Sequence, residues 1–177
     1  TINSDFDSDG GRGVMSGVGA SFDLRLLLDL AYQYPDVLYL SIHCNALEDN
    51  DPTGGLQVFF LDSAGAYREE NDFARQHENI ALAAPVYQLY RDAERERLAI
   101  LIRDGILEQI PELKYTGQAD IQSKNYAVLR ELNLTGALIE LGFLSSPEDR
   151  ELLLDDTANQ QMAEAIADAV YRYYCQP

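Results

Sequence analysis

The sequence predicts an α/β fold of three layers, a mostly parallel open sheet flanked by helices on both faces. Two near-continuous apolar runs of strand length, VLYLSIH (residues 37–43) and ALIELGF (residues 137–143), have the composition of strands buried on both faces. Around them, apolar residues recur at helical spacing. Strands that alternate with helices along a chain call for a parallel sheet with crossover helices.

Taken in order, the first 20 or so residues are rich in Gly, Ser and Asp and have no apolar period, so they read as a loop. Asp5, Asp7, Asp9 and Gly10 imitate the start of a calcium loop, but Ser16 stands where the bidentate glutamate belongs. A solvated acidic turn is the expectation there. Phe22, Leu26, Leu27, Leu30, Ala31 and Tyr34 then follow a helical period that Pro35 ends. Gly54 and Gly55 precede a second strand, in which Leu56, Val58 and Phe60 alternate with Gln57 and Phe59. Residues 63–110 read as mainly helical and highly charged, with Leu98, Ile102, Ile106 and Ile110 as one apolar line before Pro111. RDAERER (residues 91–97) reads as a solvated helix face. After the strand at 137–143, Ser146 is placed to cap a helix, with Pro147 in its first turn and Glu148 and Asp149 beside its positive end. The last helix begins near Thr157 and is expected to bury Met162, Ile166, Ala169, Val170 and Tyr173. No repeat or linker divides the chain, so residues 1–177 are expected to form a single domain.

Charge narrows the function. Thirteen Lys and Arg against 30 Asp and Glu give a formal net charge of −17, a surface that repels phosphate backbones and anionic lipid heads. Nucleic-acid binding is therefore not expected. No apolar stretch approaches the roughly 20 residues a membrane span requires, so no membrane insertion is expected either. Cys44 and Cys175 form no metal-type pair and no disulfide framework. Cys44, inside an apolar run, is expected to be a small buried residue.

Two polar residues occupy places where polar groups are costly. His43 ends the first apolar strand and Glu140 interrupts the later one. Ligands in open α/β sheets bind beyond the carboxyl ends of the strands. A carboxylate there needs a cation, a hydrogen-bonding partner or a proton-transfer duty. Periodicity leaves two readings of each residue. His43 is a structural hydrogen-bonding residue or a metal ligand; Glu140 pairs with a base such as Arg130 or takes part in chemistry.

The local sequences resemble a known family. SIHCNA (residues 41–46) followed by GGLQVFF (residues 54–60) is similar to the segment around a zinc-binding histidine in family-3 N-acetylmuramoyl-L-alanine amidases. ALIELGFLSSPEDRELL (residues 137–153) resembles the segment that carries that family's catalytic glutamate. NYAVLREL (residues 125–132), SFDLRLLLDLAYQ (residues 21–33) and the final helix fit the same pattern. Residues 87–112 are the exception and are expected to be an acidic helical insertion, with a lid over the site as one reading. The resemblance implies a zinc enzyme that hydrolyses the amide between N-acetylmuramic acid and L-alanine in bacterial peptidoglycan. It implies one zinc ion, with His43 as a ligand and Glu140 as the acid–base residue. Asn45 would shape the rim, and Arg130 would place the substrate or pair with an acid. The protein is expected to act as a monomer on peptidoglycan, outside the cell or in its envelope.

The resemblance is incomplete at the metal. The family's Gly-His-Gly-Gly segment and the glutamate ligand on the helix after it have no counterpart here, and would fall before Thr1. His43 and His77 are the two histidines in the sequence. His77 lies in NDFARQHENIALA, which reads as a helix, and is better taken as hydrogen-bonded or solvent-facing than as a ligand. Cys44 should face away from His43, because strand side chains alternate. An amidase-fold module that binds peptidoglycan without cutting it is the alternative function. A zinc peptidase or deacylase acting on soluble peptides is a third.

Overall fold

The computed structural model describes residues 37–48, 51–62, 92–130 and 134–175. The helix expected from Ser21, the acidic turn near Asp5 and His77 lie outside these residues. Among the described residues four strands form one sheet: β1 (Leu38–Asn45), β2 (Gln57–Phe60), β3 (Ile121–Ser123) and β4 (Thr135–Phe143). Their order is β1-β4-β2-β3, with β1–β4 and β2–β3 parallel and β2–β4 antiparallel. The sheet is open and mixed, and two of its three pairings are parallel, as expected.

Helices α1 (Asp92–Gln109) and α4 (Asp156–Cys175) pack against each other on one face of the sheet. There Leu98, Ile102 and Ile106 of α1 meet Val58, Ala137 and Ile139 of the strands and Met162 and Ile166 of α4. The apolar line read from the sequence is therefore the seam of the larger core. Burying such side chains contributes roughly 1.5–3 kcal/mol each. The acidic stretch is accordingly a core helix over residues 92–109, and not a lid. Its packed face lies across the sheet from His43 and Glu140.

The other face carries a smaller core of Phe59, Leu61, Leu129 and Leu138, with Tyr39, Tyr126 and Val128 against it. The short helix α2 (Ala127–Arg130) supplies part of this second layer. Two apolar layers explain why all four residues of β2 are buried, Gln57 and Phe59 included. Helix α3 (Pro147–Leu153) begins as expected, with the Ser146 side chain accepting from the Asp149 amide. In α4, Met162, Ile166 and Ala169 are buried, whereas Val170 and Tyr173 are only half-buried.

Two further expectations change. Arg95, read as part of a solvated face, is 1% exposed. Its Nε donates to the Leu134 carbonyl at 3.1 Å and one terminal nitrogen to the Leu61 carbonyl at 3.4 Å. Cys44 is exposed. The apolar run ends at the rim of the sheet, where β1 loses regular pairing between His43 and Asn45.

Candidate functional site

Strand register builds the site. His43 is the Cα partner of Glu140 across β1 and β4, and Glu140 is the partner of Gln57 across β4 and β2. Directly paired residues project from the same face of a sheet. An imidazole, a carboxylate and an amide thus form one row across three strands, on the face of the smaller core. Apolar neighbours within each strand keep this row in place: a slip of one residue would turn it into the larger core.

Hydrogen bonds tie the row at both ends. Ser41 Oγ lies 2.6 Å from His43 Nε2. Asn45 Nδ2 donates to Gln57 Oε1 at 3.3 Å, while Asn45 Oδ1 accepts from the Ala46 amide at 2.8 Å. The Asn45 carbonyl accepts from the Leu144 amide at 2.7 Å, which joins the segments that follow β1 and β4. Glu140 Oε2 is shielded from solvent within the row. Partial desolvation, and then the negative charge of Glu140, push the Cys44 thiol above its ordinary range. Burial raises the Tyr39 phenol, against the opposing effect of a hydrogen bond with Ser41.

The turn before β2 is held close by backbone contacts. The Leu56 amide donates to the Leu113 carbonyl at 2.7 Å and the Thr116 amide to the Gly54 carbonyl at 3.0 Å. Gly55 has a φ of +100°, and a Cβ there would lie 2.6 Å from Tyr115 Cα. Only glycine meets both conditions without strain, so this turn can bring Gln57 into register with Glu140.

Three of the four residues singled out from sequence, His43, Asn45 and Glu140, come together at this rim. Arg130 ends α2, and its side chain lies outside the described residues. Ser41 and Gln57 had not been singled out as site residues. Ser41 had a legible signal, its spacing of two from His43. Gln57 had a weaker one, a polar residue between apolar neighbours just after two glycines.

An imidazole beside a carboxylate can exchange protons or give two donors to a cation. A zinc site takes four ligands, three of them from the protein when it is catalytic. Among the described residues no group of three or more His, Cys, Asp and Glu side chains could hold a metal. The described residues therefore do not make up a zinc site by themselves.

A family model described as N-acetylmuramoyl-L-alanine amidase matches residues 12–172. Among curated proteins, the chain is 28% identical over 148 residues to N-acetylmuramoyl-L-alanine amidase AmiC of Neisseria meningitidis serogroup B, covering 77% of this chain and 35% of that protein. It is 34% identical over 136 residues to the probable cell wall amidase LytH of Staphylococcus epidermidis, covering 77% of this chain and 35% of that one. AmiA of Escherichia coli is 22% identical over 161 residues, covering 83% of this chain and 55% of AmiA. The chain thus spans about a third to just over half the length of these relatives. Among solved structures, the N-acetylmuramoyl-L-alanine amidase of Clostridium difficile 630 superposes with a TM-score of 0.59 at 23% identity, covering 86% of this chain and 66% of that one. Amidase AmiC2 of Nostoc punctiforme gives 0.58 at 22% identity, covering 91% and 67%. These two likenesses concern the fold.

Proposed function

The chain belongs to the N-acetylmuramoyl-L-alanine amidase family, and from that premise we propose that it hydrolyses the amide between N-acetylmuramic acid and L-alanine in peptidoglycan. The observation that carries this reading is the direct pairing of His43 with Glu140 at the rim of the sheet. Glu140 takes a proton from the attacking water and returns it to the leaving amine of L-alanine. His43 would be one ligand of a zinc ion, which would supply Lewis-acid polarisation of the amide carbonyl. The other ligands would have to come from outside the described residues. Asn45 shapes the rim through its bond to Gln57, and Arg130 steadies the substrate. The protein works in the cell envelope or outside the cell, as a monomer.

The test is release of new L-alanine amino termini from purified peptidoglycan by the full chain. Glu140→Gln should lower turnover by about 10²-fold or more, the usual worth of a general acid–base residue, with the fold intact by circular dichroism. Unchanged turnover in that variant would remove Glu140 from the reaction. Cell-wall binding by the native chain without any release of amino termini would favour the non-cutting module instead.

A further inference from the structure

The hydroxyl of Ser41 has no place in the reaction above, yet it sits against a ring assigned a part in it. Ser41 is 8% exposed, and its Oγ lies 2.6 Å from His43 Nε2. Tyr39, Ser41 and His43 are alternate residues of β1 and so share one face. Ser41 is paired in register with Leu138, beside the smaller core. Its backbone is therefore held by the sheet and its side chain by packing, which makes it a rigid support for a ring at the strand's end.

We propose that Ser41 is a positioning residue: it accepts a hydrogen bond from His43 Nε2–H, fixing the ring's rotation and leaving the Nδ1 lone pair for the site. A neutral imidazole carries one N–H and one lone pair, so engaging one nitrogen decides the role of the other. In the opposite arrangement, with Ser41 donating to Nε2, the lone pair would be spent inside the strand and Nδ1 would carry a hydrogen. A ring so arranged could neither ligate a cation nor accept a proton at the rim. Supporting partners of this kind typically matter by about 10–100-fold in affinity or activity.

This inference rests on the functional role given to His43, and the experiment separates the two. In the full chain, Ser41→Ala should fold normally and lose activity by about 10–100-fold, whereas Ser41→Thr, which keeps the hydroxyl, should recover most of it. Ser41→Val, of the same shape as the threonine variant, should behave as Ser41→Ala does. A second readout needs no turnover. Nitrogen-15 imidazole spectra of the metal-stripped native chain should show His43 as the Nε2–H tautomer alone, and Ser41→Ala should show a mixture. Full activity in Ser41→Ala together with loss in His43→Ala would overturn the positioning role and leave the amidase reading standing. Full activity in His43→Ala would sink both. A native ring protonated on Nδ1 would also overturn the proposal.

Discussion

Asp149 sits in the apolar surroundings at the end of β4, 4% exposed. Its Oδ2 accepts from the Gly55 and Phe143 amides, each at 2.7 Å. One carboxylate oxygen therefore joins the turn before β2 to the end of β4, the two segments that deliver Gln57 and Glu140. Both amides are buried with it, so removing the carboxylate strands them. Asp149→Ala should cost about 1–3 kcal/mol for each amide left without an acceptor, and Asp149→Asn, which keeps an oxygen, should cost less. Urea unfolding of the two variants checks this. Equal stability of Asp149→Ala and the native chain would mean that water replaces the carboxylate. At the same scale, the bond that Ser41 accepts from His43 is expected to govern function, and those that Asp149 accepts to govern stability.

Among the elements, α1 shows how a charged stretch becomes a core helix. Its apolar residues face the sheet and α4, and several of its charged residues anchor it by their ends. The Tyr173 hydroxyl donates to Glu94 at 2.6 Å, and the Arg97 guanidinium lies 5.2 Å from the centre of the Tyr173 ring. Arg103 donates to both carboxylate oxygens of Asp120, at 3.0 and 2.9 Å. Arg95 ties the helix to the ends of β2 and β4 through the Leu61 and Leu134 carbonyls. Replacing it by leucine makes the core more apolar yet deprives those carbonyls of a donor. Arg95→Leu should therefore destabilise by about 1–3 kcal/mol, read from the midpoint and slope of a urea transition. A gain in stability would show that the carbonyls find other donors.

Over the whole molecule, the net charge of −17 is the dominant long-range term. Self-repulsion destabilises the compact state, and it is screened as the Debye length falls from about 30 Å at 0.01 M salt to about 8 Å at 0.15 M. Raising sodium chloride over that range should raise Tm by about 2–4 °C, the shift expected for roughly 1 kcal/mol in a chain of this size. A fall in Tm would mean that favourable ion pairs outweigh the repulsion. The same negative surface suits an uncharged or cationic polymer better than a polyanion. Glutamate substitution by glutamine at Glu140 tests the reaction itself and belongs to the site, not to this field.

The strands holding His43 and Glu140, the cap at Ser146, and the seam of Leu98, Ile102 and Ile106 were legible because each depends on local pattern. An apolar run, a capping residue or a helical period is written within about twenty neighbouring positions. The family signatures belong to the same class, since they are continuous segments. Only the tertiary structure decided that β2 runs against β4, and hence that Gln57 joins the row. That pairing brings Gln57 beside Glu140, far apart in sequence, and turn geometry at Gly55 sets its register. The burial of Arg95 was hidden for the same reason: its acceptors are carbonyls 34 and 39 residues away, which no helix period records. Cys44 looked buried because its neighbours are apolar, but exposure depends on where a strand stops being covered. The sequence thus determined which segments form strands and helices and which side chains could do chemistry. Folding determined which of them meet, because meeting depends on pairing and packing between distant parts of the chain.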